Sequence, residues 1–167
     1  MKTKIKSDDT YFRLSTHPNG MLSALDIRST LTEWARQGWV PDVVCIDYAD
    51  LLAPMYGHMD SRDQINATWK MLRAISQIFH CLVCTATQAD AQSYNGTTIT
   101  RKNFSNDKRI LAHATGIVGV NVADYEKKSG IRRYNWVVGR EFGFSESKFV
   151  HIAGCLALAN PCVRSTF

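Results

Sequence analysis

Two polar residues stand where apolar runs stop, and both are of types that could handle phosphate chemistry. Val43-Val44-Cys45-Ile46 ends abruptly at Asp47, and the run from Cys81 to Ala86 ends at Thr87-Gln88. In open α/β sheets, ligands gather at the carboxyl ends of the strands. An Asp at such an end can hold Mg²⁺ directly or through water, with nucleotide phosphates completing the octahedron. A neutral amide beside it could contact a γ-phosphate or orient a water without adding charge. The plainer readings are a carboxylate that caps the next loop and a glutamine in ordinary loop hydrogen bonds. The pairing of Asp47 with Gln88 is more specific than either residue alone.

The elements around them are readable from periodicity and breakers. Each apolar run is continuous, as in a strand buried on both faces of a parallel sheet. Between them lies a helical stripe, Ile65, Trp69, Leu72, Ile75 and Phe79, opened by a capping signal at Ser61 with Gln64. Strand, crossover helix and strand make a βαβ unit, which places Asp47 and Gln88 on one sheet edge. Upstream, Ser23 and Asp26 form another capping box, and Ala24, Ile27, Leu31, Trp34 and Ala35 share one helical face. Gly38 ends that helix and Pro41 prevents its resumption. Tyr11–Leu14 is predicted as a short strand before the His17-Pro18-Asn19-Gly20 turn, and residues 1–10 as loosely held. Residues 89–109 are polar and long for a passive loop. Runs at Ile117–Val120, Tyr134–Val138, Lys148–Ile152 and Cys155–Leu158 predict partly antiparallel β structure. The fold class is α/β.

Composition narrows the classes. The 167 residues are 45% hydrophobic and 21% charged, which excludes a disordered tail, a fibre or a disulfide scaffold. No run approaches the roughly 20 apolar residues of a membrane span, and no signal peptide is readable, so a cytoplasmic protein without a membrane partner is expected. Twenty Lys+Arg against fifteen Asp+Glu give +5, compatible with nucleotide or nucleic-acid partners. The five cysteines have no framework spacing. Cys81 and Cys84, three apart in a strand, point to opposite faces and are read as buried free thiols rather than a chelate.

The Asp47 strand has the Walker-B form of P-loop NTPases. Pro41-Asp42-Val43-Val44-Cys45-Ile46-Asp47-Tyr48-Ala49-Asp50-Leu51-Leu52, the helix from near Arg62, the Ala86-Thr87-Gln88 strand end and Val137-Val138-Gly139-Arg140-Glu141-Phe142-Gly143 resemble, in order, the RecA-like ATPase core of DnaB-type replicative helicases, particularly phage-encoded members. The resemblance covers about residues 11–155 and the later half of that core. It implies Asp47 as the Mg²⁺-associated acid, Gln88 as a sensor linking γ-phosphate to DNA-facing loops, and Arg140 as an arginine finger reaching ATP on the next subunit of a homo-oligomeric ring. A planar charge suits that task. It also implies single-stranded DNA as partner of the 89–109 segment. There Arg101, Lys102, Lys108 and Arg109 could neutralise phosphates, and Tyr94 or Phe104 could stack on a base. A solvated loop, and a surface arginine at position 140, are the plainer alternatives.

The pattern breaks where phosphate would be cradled. A P-loop needs Gly-x-x-x-x-Gly-Lys-Ser/Thr, and the sequence contains no Gly-Lys pair. The residues before Asp47 hold neither that loop nor the catalytic glutamate of the family. Val138 stands where a Lys is common, and Thr115 replaces an expected acid. The P-loop strand lies beside the Gln88 strand in that family, so its lack exposes an edge and an apolar face. The chain is therefore expected to be part of a longer protein, to pair with a chain supplying the P-loop, or to close the gap with its own C-terminal strands. ATP and Mg²⁺ are cofactors of the complete protein, and the chain by itself is not expected to be a competent ATPase. Two alternatives are a non-catalytic remnant that binds single-stranded DNA or a replication partner, and a metal nuclease using Asp47, Asp50, Asp60 and Asp63.

Overall fold

The computed structural model describes residues 11–57, 59–90, 98–104, 108–158 and 160–166. The expectations for residues 1–10 and Tyr94 lie outside them. Helix α1 (Ala24–Arg36) opens on the predicted box: Ser23 Oγ accepts from the Asp26 N–H, and the Asp26 carboxylate accepts from the Ser23 N–H at 2.9 Å. Hydrogen bonding to the Ser23 hydroxyl, then to its backbone, holds Asp26 below the usual carboxylate range. Gly38, at φ +82°, supplies the left-handed turn behind the helix. Strand β1 (Val43–Ile46) follows, then α2 (Ser61–Phe79) and β2 (Leu82–Thr85), which pairs parallel to β1 with Val43 opposite Leu82 and Ile46 opposite Thr85. Ala24, Ile27 and Leu31 of α1 and Leu72 and Ile75 of α2 form the first core, with Val44, Ile46 and Val83 packed against it.

Beyond β2 the chain forms the short helix α3 (Arg109–His113), β3 (Gly116–Asn121), α4 (Asp124–Lys128), β4 (Ile131–Gly139), β5 (Val150–Cys155) and β6 (Asn160–Thr166). The four strands make a separate antiparallel sheet in sequential order. Its covered side contributes Val137 to a second core with Phe104 and Val138. Helix α4 secures the rim. The Glu126 carboxylate accepts from the Ala123 N–H at 2.7 Å and pairs with Arg133 Nε at 2.5 Å, both side chains largely buried. The Arg133 hydrogen bond, the largest influence, holds the Glu126 carboxyl below its ordinary value of 4.5.

The α/β architecture and both long helices match the sequence expectations. Several details do not. Tyr11–Leu14 is not a strand; Arg13 instead lies over the Trp34 and Trp39 rings, at 5.2 and 4.9 Å from their centroids. Helix α2 is capped by Asp60, whose carboxylate accepts from the Arg62 N–H, rather than by Ser61. The Gln64 amide donates outward to the Met59 carbonyl. β1 and β2 are covered on one face only, because α1 and α2 both lie on that side; Val43, Cys45, Leu82 and Cys84 alternate onto the open side. Cys81 is buried, which pushes its thiol up, but Cys84 is exposed. The C-terminal strands do not close the gap beside β2. Cys155 ends β5, and Leu156–Leu158 is a 3₁₀ turn before β6, a strand with no sequence signal because Pro161 sits in it. An edge strand tolerates that proline. Helices α3 and α4, five residues each, are too short for periodicity to show them.

Glu126→Gln leaves Arg133 without its counter-charge in a largely buried position. It should lower unfolding stability at pH 7 by about 3 kcal/mol. A carboxyl whose value is lowered on folding stabilises above pH about 4.5 and loses that contribution as pH falls through the folded value. Urea unfolding of both proteins from pH 7 to pH 3 should therefore show the difference shrinking on the acid side. A gap that stays constant with pH would contradict the ion pair's role.

Candidate functional site

The ends of β1 and β2 are tied together by side chains that follow from the alternation of the strands. Thr85, the last residue of β2, faces β1: its hydroxyl donates to the Ile46 carbonyl at 3.0 Å and accepts from the Ala49 N–H at 2.9 Å. Two residues on, Thr87 Oγ1 donates to the Asp50 carboxylate at 2.9 Å, and the Gln88 N–H donates to the same carboxylate at 3.1 Å. The Gln88 amide then reaches back across the sheet edge to the Tyr48 hydroxyl at 3.2 Å. The Asp47–Tyr48 peptide bond is cis.

Asp47 and Gln88 thus emerge side by side, as the βαβ reading requires, and both are exposed. Asp50 is the member that sequence reading placed in the wrong role. Its carboxylate is consumed in organising the Thr87-Gln88 turn. The signal for this was present in the spacing, since hydroxyls at 85 and 87 lie on one side of an extended strand. Among the described residues, the Asp47 carboxylate makes no hydrogen bond or ion pair. A single free carboxylate at a strand end fits a Mg²⁺ ion that keeps most of its waters and takes its other ligands from phosphate.

The four aspartates of the nuclease alternative do not converge. Asp50 holds the β2 turn, Asp60 caps α2, and Asp63 pairs with Arg109 at 2.7 Å. Among the described residues no three metal-ligating side chains cluster.

Arg140 is placed on the last turn of α3. Its Nε donates to the Ala114 carbonyl at 2.8 Å, and a terminal nitrogen donates to those of Ala112 and Leu111 at 2.6 and 3.2 Å. A cation at a helix C-terminus satisfies carbonyls that have no partner in the helix. None of these bonds involves Asp47 or Gln88. The same helix is strapped to α2 by Arg109 on Asp63, His113 Nε2 against Asn66 Oδ1 at 2.7 Å, and Arg73 donating to the His113 carbonyl at 3.0 Å.

The basic segment is anchored from beneath by a polar pair that sequence reading missed. Asn121 and Asn135, opposed on β3 and β4 and both buried, bond to each other at 2.8 Å. Asn121 Oδ1 accepts from the Ile99 N–H, and Asn135 Nδ2 donates to the Ile99 carbonyl. Arg101 is held by Glu146 at 3.2 Å and by the Val137 carbonyl. Lys102 and Lys108 are exposed, with no ion pair among the described residues. Phe104 is buried in the second core, so it does not present a ring for stacking on a base.

Among the described residues no helix is long and apolar enough to cross a membrane. No protein-family model matches the chain, and no curated protein matches it. Solved structures do. The chain superposes on the solved ATPase domain of a DnaB-like helicase with a TM-score of 0.71 and 18% identity, covering 81% of this chain and 49% of that one. It superposes on a DnaB-like replicative helicase, solved with reference to its interactions with primase, with a TM-score of 0.70 and 18% identity, covering 80% and 34%. The α/β fold is thus that of DnaB-like helicase ATPase domains, and the chain spans about half the length of the first and a third of the second.

Asp50→Ala removes the acceptor that holds the Thr87-Gln88 turn. A hydrogen bond to a charged acceptor contributes about 1.5–3 kcal/mol, so the Gln88 amide should exchange with solvent about tenfold faster or more. Amide exchange followed by NMR reads this directly. Unchanged protection at Gln88 would mean that the Asp50 contacts do not set the turn.

Proposed function

We propose that this chain is the later half of a DnaB-like replicative helicase ATPase core, taking part in ATP-driven unwinding of duplex DNA in the complete protein. The observation that carries this reading is the meeting of an unengaged Asp47 with Gln88 at one sheet edge, in a chain with the fold of those ATPase domains. Asp47 would hold the Mg²⁺ of a bound ATP through water. Gln88, tethered to Tyr48 and seated on Asp50, would sense the γ-phosphate and pass its presence to the segment that follows it. Mg²⁺ supplies charge neutralisation at the phosphates when bound; the chain's own part is to orient and to sense.

Arg140 would reach ATP on a neighbouring subunit of a ring, exchanging its α3 carbonyls for phosphate oxygens. Arg101, Lys102, Lys108 and Arg109 would meet the phosphates of single-stranded DNA. Lys102 and Lys108 are the two that need break no ion pair to do so. The P-loop comes from outside these residues, since no Gly-Lys pair occurs in the sequence. A non-catalytic DNA-binding remnant is the second reading, favoured by that same absence.

Two measurements separate these. Single-stranded oligonucleotide binding by the chain should weaken with salt as released counterions demand, and Lys102→Glu with Lys108→Glu should lower affinity about tenfold at low salt. Supplying a Walker-A polypeptide should then produce ATP hydrolysis that Asp47→Asn and Gln88→Ala each abolish. Salt-dependent DNA binding without hydrolysis in the complemented, folded protein would favour the remnant. Absence of DNA binding at low salt would remove both readings.

A further inference from the structure

The described sheets have two open edges that one strand could fill. Among the described residues, β2 pairs only with β1, and β3 pairs only with β4. The Leu82 N–H donates to the Asp42 carbonyl at 2.8 Å, so it faces β1. Amides alternate along a strand, so those of Val83 and Thr85 point to the free side of β2. The open face beside this edge is apolar. Val43 and Leu82 are 50% and 60% exposed, and Cys45 and Cys84, register partners on adjacent strands, lie in the open with them.

Parallel strands occur almost only with both faces covered, because their side chains are apolar on both. Here α1 and α2 cover one. On the other sheet, Val118 and Val120 of the β3 edge strand are also half exposed. The two sheets do not drift independently, because α3 is bonded to α2 through Arg109, His113 and Arg73, and to the end of β4 through Arg140. The superposed ATPase domain is about twice as long as the matched part, so the chain length needed to fill the slot exists in that domain and is not in this one.

We propose that β2 and β3 are the two sides of a slot for one β-strand. Its occupant is a strand of the ATPase-core portion that this chain does not span, and a helix of that portion covers Val43, Cys45, Leu82 and Cys84. The inserted strand bonds to the Val83 and Thr85 amides on one side and to the outer edge of β3 on the other, merging the two sheets. This inference rests on the reading of the chain as half of an ATPase core, and it adds the docking surface.

The test uses the full chain alone and the full chain carrying, ahead of residue 1, the part of the superposed helicase ATPase domain that it does not match. Residue-resolved maleimide labelling by mass spectrometry reads Cys45 and Cys84, and amide exchange reads β2. In the chain alone, both thiols should label rapidly, and the Val83 and Thr85 amides should exchange at least a hundredfold faster than that of Cys84. In the fusion, both thiols should slow at least tenfold and the two amides should become as protected as Cys84. A folded fusion with unchanged thiols and amides overturns the proposal. So does equal protection of Val83, Cys84 and Thr85 in the monomeric chain alone, a measurement that stands even where the fusion fails to fold. ATP hydrolysis by the fusion with the slot still open overturns the docking and leaves the ATPase reading intact. A closed slot without hydrolysis supports the docking and counts against that reading.

Discussion

The side-chain lock between the ends of β1 and β2 is the interaction on which the candidate site depends. Two four-residue parallel strands offer few backbone bonds, and parallel pairing is slightly weaker per residue than antiparallel. Thr85 adds two bonds across the pair, to Ile46 and Ala49, at the point where the strands release their loops. The Asp50 carboxylate then holds Thr87 and the Gln88 amide. Asp47 and Gln88 are consequently displayed from a braced edge rather than from free loops, although both are exposed. Asp50 has no chemistry of its own in this arrangement; it is the residue that lets Gln88 have one.

A second dependence runs through α3, which is only five residues long. A helix of that length is unstable in isolation, because nucleation costs more than a single turn returns. It persists because both of its surfaces are spoken for. Side chains of α2 hold it from one side, and Arg140 takes three carbonyls at its end. The helix also follows the basic segment in sequence. That segment is anchored in turn on the Asn121–Asn135 pair through both backbone groups of Ile99. A buried amide pair is a costly choice unless every group is satisfied, and here it fixes one register for the segment that carries Arg101 and Lys102.

What was legible in the sequence was what local physics decides. The Ser23–Asp26 box, the α2 stripe and the two strand-ending polar residues were readable because capping, periodicity and burial act over a few residues. Three kinds of feature were not. α3 and α4 owe their helicity to partners far away in the chain. Phe104 looked available for stacking, but an aromatic in a polar segment is as often the anchor of that segment, and its partners Val137 and Val138 are more than thirty positions distant. The one-sided cover of β1 and β2 was invisible because a continuous apolar run states only what the strand needs, not whether these residues supply it. Cys84 was read as buried for that reason.

Arg140 shows how one residue can satisfy both a structural demand and a functional one. Its guanidinium bonds only to backbone carbonyls, none of them charged, so no ion pair has to break for it to leave. Phosphate oxygens are stronger acceptors for its planar fork than neutral carbonyls, and a charge-assisted bond is roughly twice as strong. An arginine finger held this way is stored extended and desolvated in part, at a helix end that water can re-solvate on release. Leaving would free the last turn of α3, which lies next to the basic segment in sequence. Under the proposed function, phosphate at a neighbouring subunit would therefore loosen the support beneath Lys108 and Arg109, coupling the nucleotide state of one subunit to the DNA-facing segment of the next through bonds that this structure contains.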